Sequence, residues 1–177
     1  MFKKISSITH NLTFNPGYQL LYRYGEEVAG EFQGISYFTV GRNIQTRLMS
    51  FLPELASMDF HASLMVINRP EIPAHVDNEI LVSINFYVET ANAVTRFHKF
   101  KPGLEPEIRK LDNQSDGALY TPACLDMVAE FEAQAGEVWI LDVKQPHSVS
   151  CRTAEPRIAY CLQSTQYTYN DVIKHFN

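Results

Sequence analysis

Residues 81–89 constrain the fold of this chain more than any other stretch. Val82, Ile84, Phe86 and Val88 alternate with Ser83, Asn85 and Tyr87. A period of two puts the apolar set on one face of a β-strand and the polar set on the other. Such a strand buries its apolar face and can present a polar face to a pocket. Strand-like runs recur at residues 62–68, 93–100, 127–134, 138–143, 147–151 and 157–164, with turn residues between them. Many short strands in succession predict a sandwich or barrel.

Upstream of these, the first forty residues read as short strands broken by Asn15-Pro16-Gly17, Gly30 and Gly34, ending with a strand at 35–40. One helix is expected over residues 44–57, because Ile44, Leu48, Phe51, Leu52 and Leu55 recur at intervals of three and four. Pro53 should bend it or split it in two. Residues 101–123 hold Pro102, Gly103, Pro106, Gly117 and Pro122 and read as an irregular excursion, either a lid or a plain surface loop. A short amphipathic helix at 171–176 should dock Val172, Ile173 and Phe176 on the outside of the barrel. With 177 residues and no linker or repeat, the expectation is one domain, 1–177, with the barrel core in 60–165.

Three side chains point to chemistry. His75 and Asp77 lie two apart, so on an extended strand both reach the same side. His147, in Gln145-Pro146-His147-Ser148-Val149, opens a later strand and can complete two imidazoles and one carboxylate around one ion. That donor set suits Fe(II) and leaves coordination positions open for a co-substrate and O₂. Ten residues on sits Arg157, whose fixed charge and forked donors suit a carboxylate. A His-x-Asp alone is weakly informative; the ordered set of His75, Asp77, His147 and Arg157 carries the reading. Period two also places His147, Val149 and Cys151 on one face, and Arg157, Ala159 and Cys161 on one face. If both faces point inward, metal and anion clamp share a cavity. Asn85, Thr95 and Tyr87 are candidates to help Arg157 hold the co-substrate, from their position and hydrogen-bonding capacity.

Other polar residues receive plainer readings. Asp142 should orient a turn, His98 could line the cavity without serving as a ligand, and His10, His61 and His175 are structural or solvated. Trp139 is a core anchor. A net charge of −5 with no Lys/Arg run argues against a phosphate-backbone partner. Cys124, Cys151 and Cys161 lack metal-type spacing and suggest no disulfide framework, which fits a reducing interior. Lys3 and Lys4 are followed by no apolar run, so neither a signal peptide nor a membrane span is expected and a cytoplasmic location is.

These residues resemble the 2-oxoglutarate/Fe(II)-dependent dioxygenases of double-stranded β-helix fold. The likeness covers roughly residues 60–165. It rests on Arg69-Pro70-Glu71-Ile72-Pro73-Ala74-His75-Val76-Asp77, on Gly136 to Asp142, and on Pro146-His147-Ser148-Val149, with Arg157 where such enzymes pair with the far carboxylate of 2-oxoglutarate. The spacing from His147 to Arg157 is similar to that of the aspartyl/asparaginyl β-hydroxylase and prolyl hydroxylase-like branches. The resemblance implies a mainly β jelly-roll, cupin-like barrel with a few flanking helices. It also implies Fe(II), 2-oxoglutarate and O₂ as reactants, and a small-molecule or peptide substrate to be hydroxylated. Many members follow the Arg with x-Ser; here Ile158-Ala159 follows, so one hydrogen bond to the co-substrate must come from elsewhere. The alternatives are a cupin-like metal or small-ligand binder without oxygenase turnover, and a purely structural barrel.

Overall fold

The alternation of residues 81–89 is realised as a central strand of an antiparallel β-sandwich. The computed structural model describes residues 1–15, 20–23, 34–110 and 117–176; Pro16, Gly17 and Gly30 of the expected turns lie outside the described residues. A seven-stranded sheet runs in the order β1 (Phe2–Thr9), β11 (Glu137–Leu141), β6 (Val82–Glu89), β13 (Arg157–Ser164), β4 (His61–Ile67), β3 (Ile35–Thr39) and β2 (Leu20–Arg23). Facing it, a six-stranded sheet runs β10 (Leu125–Glu132), β7 (Val94–Phe100), β12 (His147–Ser150), β5 (Glu71–Val76), β9 (Ala118–Tyr120) and β8 (Ile108–Lys110). Every strand pair is antiparallel. This is the expected double-stranded β-helix, a cupin-like jelly roll with few helices.

The seven-stranded sheet is apolar on the side away from its partner sheet. Val82, Ile84 and Phe86 of β6, Ile158, Tyr160 and Leu162 of β13, and Leu64 of β4 pack there against Leu48, Leu52, Leu55 and Val172. Those last four come from a helical layer: α1 (Arg42–Ser50), a 3-10 turn at Pro53–Leu55, and α2 (Tyr169–Ile173) with its 3-10 extension Lys174–Phe176. Each such aliphatic or aromatic side chain, fully buried, contributes about 1.5–3 kcal/mol relative to exposure. Between the sheets lies a second apolar group, including Tyr87, Phe97, Phe131, Trp139, Leu141, Ala159 and Cys161. Trp139 stacks on Phe131 at 4.1 Å and donates its indole N–H to Glu137, as befits a core anchor.

Two differences from the sequence reading have local causes. The helix expected over 44–57 is indeed split, but its first piece starts earlier and ends at Ser50. Leu52, held out of the helical region by the Pro53 ring, separates it from the 3-10 turn. Residues 101–123 are not wholly irregular, since β8 and β9 form there and extend the sheet beside β5; 111–116 lie outside the described residues. The approach to His75 is strand β5 itself, despite Pro73. His147 pairs with His75 and Val149 with Ile72, so Pro73 and Ala74 of β5 stand opposite Ser148 alone of β12. A bulge there absorbs the residue that cannot donate a ladder hydrogen bond.

Candidate metal centre and anion clamp

Four elements bring the site together. β5 delivers His75, the turn after it delivers Asp77, β12 delivers His147, and β13 delivers Arg157. Because His75 and His147 are register partners, their rings lie side by side, with centroids 4.3 Å apart. Phe97 of β7, the other register partner of His147, stacks on the His147 ring. The Asp77 backbone is pinned twice: its N–H donates to the Val143 carbonyl at 3.1 Å, and its own carbonyl accepts from Lys144 Nζ at 3.0 Å.

Both imidazoles are oriented. His75 Nδ1 donates to the Pro73 carbonyl at 2.8 Å, and His147 Nδ1 donates to the Gln145 carbonyl at 3.0 Å. Carbonyls only accept, so each Nδ1 carries the proton and each Nε2 is left as the coordinating nitrogen. Asp77 Oδ1 lies 3.4 Å from His75 Nε2 and 3.6 Å from His147 Nε2. Two ligands at right angles around an ion, each bound at about 2.1 Å, sit roughly 3 Å apart, so only a small contraction is needed. Ligand atoms of all three residues lie within 4.8 Å of one another.

The electrostatics favour a neutral His147 and an ionised Asp77. Burial, reinforced by the neighbouring His75, pushes the His147 imidazole down to about 4 against the attraction of Asp77. Burial alone would raise Asp77. The hydrogen bond with His75, and the charges of His147, His75 and Lys144, instead hold its carboxyl below the ordinary value. Opposite, burial and the Asp77 charge push the Cys161 thiol up to about 12, which makes it a protonated lining group.

Arg157 is buried, at 3% exposure. Its Nη2 donates to Tyr87 Oη at 2.7 Å and to Thr95 Oγ1 at 3.0 Å, and its guanidinium lies over the Tyr87 ring. Nη1 is buried and has no hydrogen-bond partner, and no carboxylate pairs with this cation among the described residues. Asn85 joins the group by donating Nδ2 to Tyr87 Oη at 3.4 Å. Tyr87, Thr95 and Asn85 thus surround the guanidinium. Tyr87 Oη accepts twice, which leaves its own proton to donate.

Sequence reasoning missed Ser83, which donates to Asn85 Oδ1 at 2.7 Å, although its place two residues from Asn85 on the same strand was a usable signal. It also missed Lys144 as an anchor of Asp77, for which the sequence offers no signal. His98 does not line the cavity. Its strand turns it to the outer face of the six-stranded sheet, where Nε2 meets Ser148 Oγ at 2.8 Å. Asp142 pairs with the terminal amine of Met1 and takes no part in the site. His10 is buried, with Nδ1 accepting from the Leu12 N–H.

Solved structures share this fold. YcfD of Escherichia coli superposes with a TM-score of 0.50 at 12% identity, over 79% of this chain and 36% of that one. Another structure of it describes a ribosomal oxygenase. The epimerase SnoN, in complex with Fe³⁺, α-ketoglutarate and nogalamycin RO, gives 0.47 at 16% identity, over 80% of this chain and 66% of that one. Vicilin from Capsicum annuum gives 0.46 at 11% identity, over 86% of this chain and 32% of that one. The chain spans about a third of the length of YcfD and the vicilins. No protein-family model matches the chain, and no curated protein matches it in sequence. The likeness to YcfD is one of fold alone, a cupin-like barrel. No helix among the described residues is long and apolar enough to cross a membrane.

Proposed function

We propose that this chain is an Fe(II)- and 2-oxoglutarate-dependent dioxygenase that hydroxylates a small-molecule or peptide substrate. One observation carries the reading: an oriented His75-Asp77-His147 donor set shares an interior with a buried guanidinium that has an unpartnered Nη1 and, among the described residues, no counter-anion. A metal site alone has no need of such a cation, whose burial without an anion is costly.

The spacing supports the same co-substrate. Arg157 touches Thr95, and Thr95 is two residues along β7 from Phe97, which pairs with His147. Two residues of strand span about 7 Å. A five-carbon dicarboxylate that chelates the metal through its 2-oxo acid end reaches about that far with its second carboxylate. Arg157 Nη1 and the Tyr87 hydroxyl then hold that carboxylate, while Thr95 and Asn85 fix the guanidinium and phenol that touch it. Tyr87 supplies the donor that the missing Ser after Arg157 would have given.

When bound, the ferrous ion and 2-oxoglutarate would supply the O₂-activating, oxidative chemistry. The protein's part is to keep the His147 imidazole neutral, to aim Nε2 and Oδ1 at one point, and to exclude water around the clamp. The cysteines Cys124, Cys151 and Cys161 are all free, in keeping with work in a reducing, cytoplasmic setting.

Anaerobic addition of Fe(II) and 2-oxoglutarate tests the reading. A visible charge-transfer band that needs both components is expected. Metal binding without any band or 2-oxoglutarate affinity would leave a cupin-like metal binder.

A further inference from the structure

β13 carries four inward stations at two-residue intervals: Arg157, Ala159, Cys161 and Gln163. Arg157 marks the deep end and Cys161 stands near Asp77. Gln163 lies one station beyond, about 7 Å further along the strand. Residues directly opposite in an antiparallel pair share a face. Gln163 pairs with Ser83 on β6 and His61 on β4, while Cys161 pairs with Asn85 and Ser63. His61, Ser63, Ser83, Asn85 and Gln163 therefore tile one stretch of the inner wall. It runs from the metal level to the rim, where His61 is exposed.

The hydrogen bonds within this wall define what it has left to offer. Ser83 donates its proton to Asn85 Oδ1 at 2.7 Å, and Ser63 donates its proton to Gln163 Oε1 at 3.3 Å. Both hydroxyl oxygens keep acceptor capacity. The Gln163 carboxamide is thereby oriented, and its Nε2 has no partner among the described residues. Ser63, Ser83, Asn85 and Gln163 carry no charge, so the wall supplies neutral donors and acceptors side by side. An anionic group placed beside these four meets no cation among them, since His61 stands at the exposed rim. An ammonium meets no carboxylate other than Asp77, which the metal claims. Either would lose water without a compensating partner.

We infer that this wall selects an uncharged substrate group that both donates and accepts hydrogen bonds, a carboxamide or a hydroxyl, with Gln163 as the donor that reads it. This rests on the proposed function for the direction in which the open metal positions face: 2-oxoglutarate fills the Arg157 side, which leaves the Gln163 side to the substrate.

Paramagnetic line broadening tests it without turnover. Protein loaded with Mn(II) and 2-oxoglutarate is offered four three-carbon probes: propionamide, 1-propanol, 1-propanesulfonate and propylammonium. Zn(II)-loaded protein serves as the diamagnetic reference. The two neutral probes should broaden at least threefold more than the two charged ones, and the stronger of the pair tells carboxamide from hydroxyl. In Gln163→Glu the preference for the neutral probes should vanish and propylammonium should gain, with 2-oxoglutarate broadening unchanged. Equal broadening of all four probes, or a Gln163→Glu profile identical to wild type, would overturn the inference while leaving the oxygenase reading intact. Broadening of neutral probes without any of 2-oxoglutarate would do the reverse: the wall would stand as the ligand site of a metal-binding barrel.

Discussion

Removal of the buried guanidinium is the sharpest perturbation this architecture allows. Arg157→Ala deletes the cation while the triad, on other strands, keeps its supports. A charge-assisted pair contributes on the order of 2 kcal/mol, so 2-oxoglutarate affinity should fall roughly thirtyfold. The same loss appears in thermal stability. Ligand at about a hundred times its dissociation constant stabilises a fold by about 2.7 kcal/mol. With affinity reduced thirtyfold, the same concentration contributes only about 0.9 kcal/mol. For a chain of this size, the missing ~2 kcal/mol amounts to about 4–8 °C of ligand-induced melting shift. Calorimetric titration of the Mn(II)-loaded protein gives the affinity, and thermal melts with and without 2-oxoglutarate give the shift. Arg157→Lys should recover only part of either, because an ammonium cannot form the fork. Metal affinity should hardly change in both variants. Equal affinity and equal shift in wild type and Arg157→Ala would refute the clamp, since Arg157 is the one buried Arg or Lys among the described residues.

Three other expectations concern the metal, the proton and the fold. Asp77→Ala should abolish tight Mn(II) binding, read as free aqueous ion by electron paramagnetic resonance, with unchanged far-ultraviolet circular dichroism, because both backbone contacts of residue 77 persist. His147 is pushed from 6.5 down to about 4 on folding, so between those values the unfolded chain holds the extra proton. Metal-free protein should therefore be most stable above about pH 6.5 and lose on the order of 3 kcal/mol as pH falls toward 4; equal urea midpoints at pH 7 and pH 4.5 would contradict this. Thr168 and Asp171 cap α2 reciprocally, each side chain accepting from the other's backbone N–H. Thr168→Ala should cost about 1 kcal/mol in urea unfolding, with little effect on metal affinity.

Much of the site was legible because strand periodicity survives translation into three dimensions. The polar set of residues 81–89 faces the interior, and Arg157, Ala159 and Cys161 share the inner face of β13, so a period of two assigned these faces correctly. Convergence of His75, Asp77 and His147 followed from chain order plus an assumed barrel. What stayed hidden depends on tertiary accidents. The bulge that accommodates Pro73 needs a partner strand to exist. β8 and β9 are three residues each, too short to show a period. His98 sits on a strand whose inward face is Thr95 and Phe97, a parity that cannot be set from β7 alone. Gln163 was within reach, since it continues the Arg157 face, but no short motif draws attention to it.

β6 and β13 each present two unlike surfaces. Their outward residues, from Val82 to Leu162, hold the helical layer in place, and their inward residues face the candidate metal centre and include Arg157. Foldability and selectivity are thereby written on alternate letters of the same two strands. A lineage drifting under selection could exchange Ser83 or Gln163 for another side chain of similar size without touching the packed layer beneath the helices. On the proposed function, such a barrel can retool its choice of substrate in single steps, each tolerated by the scaffold before it is useful to the chemistry.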